Sequence, residues 1–138
     1  MAYPIISYKT GTHYSMKQKI LLVEDNCLLR ENTTEMLELY NFTVLSASNG
    51  EEGLALAVKL TPDLILSDIK MPVMNGYHFL EHIRKEPSLS NTRFVFFTAA
   101  CEKKEIDFGL TMGADDYILK PFTETDLLTK LKKHLLKL

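Results

Sequence analysis

Three acids, a hydroxyl and a lysine stand where short apolar runs of this chain end, and together they suit metal-assisted transfer of a phosphoryl group. Glu24 and Asp25 follow Ile20–Val23, Asp68 comes just after Leu64–Leu66, Thr98 and Ala99 follow Phe94–Phe97, and Lys120 follows Tyr117–Leu119. A single polar residue at such a place does no more than mark the end of a strand. Four of five run ends delivering a functional group are harder to explain that way. Three carboxylates within a few ångströms repel by about 4 kcal/mol per pair at ~4 Å and an effective dielectric of ~20. A hard divalent cation relieves that repulsion, and oxygen donors that leave room for water favour Mg²⁺. A carboxylate beside Mg²⁺ and a lysine is poised to attack phosphorus, because a loose transition state needs mainly positioning and charge stabilisation. The Thr98 hydroxyl can donate to a phosphoryl oxygen, and the small Ala99 side chain lets another oxygen reach the backbone N–H.

The elements that must position these groups are legible in the pattern. The five apolar runs, Phe42–Leu45 included, alternate with amphipathic stretches. Three runs are nearly continuous in large apolar residues, as parallel strands covered on both faces are. Helical stripes are predicted at Leu29, Met36, Leu37 and Tyr40; at Leu54, Ala57 and Val58; at Phe79, Leu80 and Ile83; and at Leu127, Leu128, Leu131 and Leu135. The stretch Glu102–Met112 is weaker, with Ile106 and Leu110 on one side and Gly109 inside. Asn49 with Glu52 reads as a capping box, Asn75 as a cap, and Thr123 with Asp126 as a second box with Phe122 and Leu127 as its staple. Pro87 ends the third helix and Gly113 suits the left-handed position after the fourth. Strict β-α alternation in so short a chain predicts one open parallel sheet with helices on both faces. In such sheets reactive groups collect at the carboxyl ends of the strands.

Three segments resemble the response-regulator receiver family: Val23-Glu24-Asp25-Asn26, the run from Asp68 through Met71-Pro72 to Gly76, and Gly113-Ala114-Asp115-Asp116-Tyr117-Ile118-Leu119-Lys120-Pro121-Phe122. The resemblance covers about residues 17–138. It implies a flavodoxin-like sheet of order 2-1-3-4-5, the order the chemotaxis receiver exemplifies. It implies that Asp68 accepts a phosphoryl group from a histidine kinase or histidine phosphotransfer protein. Asp25, Asp68 and the Lys70 carbonyl would ligate Mg²⁺, with Glu24 acting through water. Lys120, before a cis Pro121, would bridge to the phosphoryl group with Thr98 and Ala99. Thr98 and Tyr117 would form the switch, read out by an effector or a second copy at the face of the fourth helix, fifth strand and fifth helix. Such a protein catalyses only its own phosphorylation and dephosphorylation. A phosphorelay intermediate, or the receiver part of a longer regulator, is the alternative. Lys70 and Ala100 would flank the path of the water that ends the phosphorylated state.

Composition bounds the rest. The 138 residues make one domain, and a net charge of −2 offers no excess of cations for nucleic acid. No apolar run is long enough to span a bilayer, and a cytoplasmic location follows. Residues 1–16 show no period and are expected to be a loosely ordered extension before the receiver domain at 17–138. His78, Glu81 and His82 match the H-x-x-E-H pattern of a class of zinc peptidases. On a helix they point away from Phe79, Leu80 and Ile83, toward solvent, which disfavours a zinc site. Lys130, Lys132, Lys133 and Lys137 read as the solvated face of the last helix, favoured at its negative end. Cys27 and Cys101 lie near the active edge and read as small buried hydrophobes rather than a redox pair.

Overall fold

The computed structural model describes residues 17–99 and 102–135. The extension 1–16, Ala100, Cys101 and Lys137 lie outside these residues. Five strands, β1 (Lys19–Val23), β2 (Thr43–Ala47), β3 (Leu64–Ser67), β4 (Arg93–Ala99) and β5 (Asp116–Lys120), alternate with α1 (Cys27–Leu39), α2 (Gly50–Leu60), α3 (Gly76–Lys85), α4 (Lys103–Thr111) and α5 (Glu124–Leu135). All neighbouring strands are parallel and the order is β2-β1-β3-β4-β5. This is the predicted order.

The sheet separates two apolar layers because successive strand residues face opposite ways. Leu21, Val23, Ile65, Phe94 and Phe96 pack with Ala57 of α2 and with Phe79, Leu80 and Ile83 of α3. Ile20, Leu22, Leu64, Leu66, Val95 and Phe97 pack with Leu37 of α1 and with Leu127, Leu131 and Leu135 of α5. β3 is buried at every residue, β1 at every residue after Lys19, and β4 at every residue between Arg93 and Ala99. These are the near-continuous apolar runs.

Capping follows the sequence with one change of partner. Asn75 accepts from the His78 N–H, and Thr123 and Asp126 bond each other's backbone N–H. Asn49 accepts from the Glu52 N–H, but Glu52 turns to the N–H and hydroxyl of Ser48 instead of closing the box on Asn49. Asn26, which the pattern did not single out, caps α1 through the Leu29 N–H.

Three stripes need correction. Val58 is exposed, because α2 approaches the sheet through its small residues Gly53 and Ala57. Tyr40 lies beyond α1 as its C-cap, and its hydroxyl reaches out to the Glu124 carboxylate. In α4 the buried residue is Gly109 and Leu110 is exposed. A Cβ at Gly109 would lie 3.0 Å from the Phe96 ring, so the helix seats its backbone on that aromatic. Gly113 follows α4 with φ of 113°, as predicted.

Arg84 closes the far end of the molecule. Its guanidinium donates to the carbonyl oxygens of Gly113 (2.8 Å) and Thr92 (2.6 Å) and to the Asp115 carboxylate (3.1 Å). A planar fork of donors suits three acceptors at once, where an ammonium would not.

Candidate phosphoacceptor site

Parallel registry brings the strand ends together. Val23 pairs with Ser67 and Ser67 with Phe96, while Ala99 pairs with Lys120. The residues just past β1 and β3 therefore emerge beside the ends of β4 and β5. The Asp68 N–H donates to the Val23 carbonyl at 3.0 Å, which ties the acid to the neighbouring strand. Beyond it, the Gly76 N–H closes the loop on the Ile69 carbonyl at 2.7 Å. A Cβ at Gly76 would sit 2.3 Å from the Asp68 carbonyl oxygen, so this close approach needs glycine.

One lysine holds two acids. The Lys120 Nζ lies 2.6 Å from Glu24 Oε1 and 3.0 Å from Asp68 Oδ2. Glu24 also accepts the Asn26 N–H at 3.0 Å, and Asp68 accepts the Ile69 N–H at 2.7 Å. Glu24 is buried, and burial raises its carboxyl above the ordinary range despite the hydrogen bond from Lys120. Burial acts the opposite way on Lys120, lowering it, but its bonds to Glu24 and Asp68 outweigh that and hold the ammonium above its usual value. The Lys120 Nζ also lies 4.7 Å from the centre of the Phe97 ring, a further interaction that favours its charge. The Lys120–Pro121 bond is cis, as the resemblance implied.

Glu24, Asp25 and Asp68 can each present an oxygen within 4.8 Å of the other two. Asp25 is exposed, and among the described residues its carboxylate has no ion-pair or hydrogen-bond partner. An all-oxygen set with one open carboxylate fits a hard cation that keeps part of its water. A cavity of about 140 Å³ opens over Asp68, lined by Lys70, Thr98, Ala99, Glu105 and Lys120. That volume suits a small group, well short of the roughly 300–1,000 Å³ that bury drug-sized ligands. The larger cavity between α1 and the segment after β5, about 570 Å³, borders the site at Lys120 but is lined mainly by Leu29, Met36, Pro121 and Phe122. It shares none of the three acids.

The sites named from sequence fall into two groups. Glu24, Asp25, Asp68, Lys70, Thr98, Ala99 and Lys120 come to one edge. Tyr117 stands apart, half-buried on β5 with its ring 5.6 Å from the Lys130 Nζ. His78, Glu81 and His82 are all exposed, and Glu81 pairs with Lys85, so the zinc pattern gathers no ligands. Cys27 is exposed rather than buried, because it opens α1 outside the core, and its thiol donates to Glu31 at 3.3 Å. Lys130 and Lys133 are not merely solvated: they lie 2.7 and 3.7 Å from the buried Asp116 carboxylate, which His134 also meets at 2.9 Å. Glu105 on the cavity wall went unremarked in the sequence. Its only signal is its place three residues past Glu102, the spacing of a helix cap.

This edge of acids and lysine on a five-stranded parallel sheet has clear relatives. The model of the response regulator receiver domain family matches residues 20–132. The nitrate/nitrite response regulator protein NarL of Escherichia coli (strain K12) is 42% identical over 114 residues, covering 81% of this chain and 52% of that protein. A probable transcriptional regulator, ycf27 of Porphyra purpurea, is 36% identical over 86% of this chain and 47% of its own length. Among solved structures, the chemotaxis response regulator CheY4 of Vibrio cholerae superposes with a TM-score of 0.83 at 31% identity, over 87% of this chain and all (100%) of that one. The chain belongs to the response regulator receiver domain family, the phosphoacceptor modules of two-component signalling that histidine kinases phosphorylate. It spans about half the length of the curated relatives it matches.

Proposed function

We propose that Asp68 is the phosphoacceptor, that Mg²⁺ is required, and that the donor is a phosphohistidine of a histidine kinase or phosphotransfer protein. The observation that supports this most is the Lys120 ammonium held 3.0 Å from Asp68 by a buried Glu24, beside a cavity sized for one small group. In this reading an Asp68 oxygen attacks phosphorus in line with the P–N bond, and the imidazole leaves with the bonding pair. Lys120 shifts part of its hydrogen bonding onto a phosphoryl oxygen. The Thr98 hydroxyl takes a second, and a third reaches the backbone N–H that the small Ala99 side chain leaves open. Asp25, Asp68 and the Lys70 carbonyl are the groups that would hold Mg²⁺, with Glu24 supporting them through water. Bound there, Mg²⁺ supplies charge neutralisation to the transferring group.

The switch belongs to the same proposal. Thr98 is buried at the site and Tyr117 half-buried on the adjoining strand. Movement of Thr98 toward the phosphoryl group leaves space for the Tyr117 ring, and the face of α4, β5 and α5 changes for an effector or a second copy. A shift from 1:99 to 99:1 needs about 5.5 kcal/mol. One charge-assisted hydrogen bond contributes roughly 1.5–3 kcal/mol, so Thr98, Lys120 and the cation must act together.

Intact-mass measurement after incubation with acetyl phosphate tests the acceptor. Wild type should gain one phosphoryl mass with Mg²⁺ and none with excess chelator, and Asp68→Asn should gain none. Undiminished labelling of that variant would sink the assignment.

A further inference from the structure

Glu105 is the one residue α4 contributes to the wall of the Asp68 cavity. It also lines a neighbouring cavity of about 510 Å³ with Asp25 and Lys70. Both its side chain and its backbone are tied down. Its Oε1 accepts the Glu102 N–H at 3.0 Å, and its carbonyl accepts the Tyr77 hydroxyl at 3.3 Å. The lysines of its own turn are committed elsewhere, Lys103 to Asp107 at 2.8 Å and Lys104 to Glu102 at 3.3 Å. Its charge is therefore left for the cavity to feel.

Among the described residues, the ionisable groups lining that cavity are Asp68 and Glu105 against Lys70 and Lys120. Asp68 is the nucleophile, so its charge is needed. Glu105 makes no bond in the transfer and opposes the arrival of an anion. We propose that Glu105 is a specificity-determining residue of the phosphoryl transfer, disfavouring small dianionic acyl phosphates relative to less charged donors with a P–N bond. The inference rests on Asp68 as acceptor. With acetyl phosphate, an Asp68 oxygen bonds to phosphorus while the P–O bond to the acetyl group breaks, and acetate leaves with the electron pair. With phosphoramidate, the P–N bond breaks and the already protonated nitrogen leaves as ammonia. At pH 7 acetyl phosphate carries two negative charges and phosphoramidate one net charge, as phosphohistidine with a protonated ring also does.

Glu105→Gln separates charge from structure, because glutamine can still accept the Glu102 N–H. Glu102→Gln removes the same charge from the same turn, outside the cavity, and serves as the control. Initial rates of Asp68 phosphorylation are compared for the two donors at low salt and at ~1 M salt, where the Debye length is about 3 Å. Glu105→Gln should accelerate labelling by acetyl phosphate roughly tenfold at low salt and by phosphoramidate less than about threefold, the lower range for a charged cleft acting on an ionic ligand. The gain should collapse at high salt, and Glu102→Gln should follow wild type with both donors. A wild-type rate in Glu105→Gln would overturn the inference, as would a gain equal for the two donors and indifferent to salt. An equal gain in Glu102→Gln would overturn it too. Each rate is repeated with Asp68→Asn added. Labelling that survives there overturns the acceptor assignment and this inference with it, whereas the other failures leave the acceptor standing.

Discussion

The Lys120 ammonium lies closer to Glu24, at 2.6 Å, than to Asp68, at 3.0 Å. Glu24 is almost wholly buried, so the lysine is anchored on its inner side and reaches the acceptor with its outer side. An isolated lysine of four methylenes would lose much rotamer entropy to stay there. Glu24 thus acts as a holder for the cation as much as a member of the acidic group.

Lys120→Met tests that anchoring. Removing one partner of a buried pair typically costs about 3–5 kcal/mol, and the partial exposure of Lys120 places this case at about 3. Burial already raises the Glu24 carboxyl, and loss of the ammonium raises it further above its unfolded value. A carboxyl raised in the folded state supports folding at low pH and opposes it as pH rises. The deficit should therefore be larger at pH 7 than near pH 4.5 in urea unfolding. A deficit independent of pH would mean that Glu24 charge is not what Lys120 offsets.

The proposed Mg²⁺ site predicts that stability depends on the cation. Three carboxylates within 4.8 Å repel in the folded chain and far less in the unfolded one. At 100-fold its dissociation constant a ligand of the folded state adds about 2.7 kcal/mol. Thermal unfolding of wild type should shift upward with Mg²⁺ and return with chelator. Asp25→Asn should raise the midpoint without metal, by relief of repulsion, and flatten the response to Mg²⁺.

Much of this is legible in the sequence, and what is not has physical reasons. Strand existence and the site edge followed because apolar runs of β1, β3 and β4 can only be covered on both faces, and their ends carry polar groups. The order itself came by resemblance. Helix faces were read less well. Periodicity weights large side chains, whereas α2 and α4 pack through Gly53 and Gly109, residues the pattern discounts. Hydrophobicity places Cys27 in the core, although the first position of a helix at the sheet edge faces water. Asp116, Lys130, Lys133 and His134 join across 14 to 18 residues, a separation no local motif reports. Glu105 hid behind its ordinary role in the turn that opens α4.

Asp116 gives the fold an acid limit. Burial raises this carboxyl, but hydrogen bonds from His134, Lys130 and the Tyr117 N–H outweigh it and lower it to about 2 from 3.8. A depressed carboxyl contributes stability above its unfolded value and loses it as pH falls through the folded one. The contribution is present above about pH 4 and disappears toward pH 2. Partial exposure of Lys130 and Lys133 trims it to about 1–2 kcal/mol. Urea unfolding of Asp116→Asn should lie below wild type by that amount at pH 6 and converge with it near pH 2. Parallel curves across that range would exclude the network as the cause.

Beryllofluoride, a phosphoryl mimic, should move backbone amide signals across residues 99–122 far more than across residues 42–60. The first segment adjoins Thr98 and contains α4 and Tyr117, and the second lies on β2 and α2 at the other side of the sheet. Thr98→Ala should still bind the mimic but show a much smaller distant shift. Equal shifts in the two segments, or a full response without the Thr98 hydroxyl, would refute the switch.

The grip of Arg84 on the Gly113 carbonyl, at 2.8 Å, makes one end of α4 a fulcrum. Its other end borders the Asp68 cavity at Glu105. A nine-residue helix is about 13 Å long. In the proposed switch, a push at the cavity strong enough to release the Tyr77 hydroxyl from the Glu105 carbonyl would tilt α4 rather than slide it, and a tilt of ~10° would carry its first turn about 2 Å while Gly113 stays in place. Displacement would be graded along the rod, so Lys103 and Lys104 would travel farthest and Phe108 less. A partner seated near the first turn would feel the full stroke; one seated near Thr111 would feel almost none.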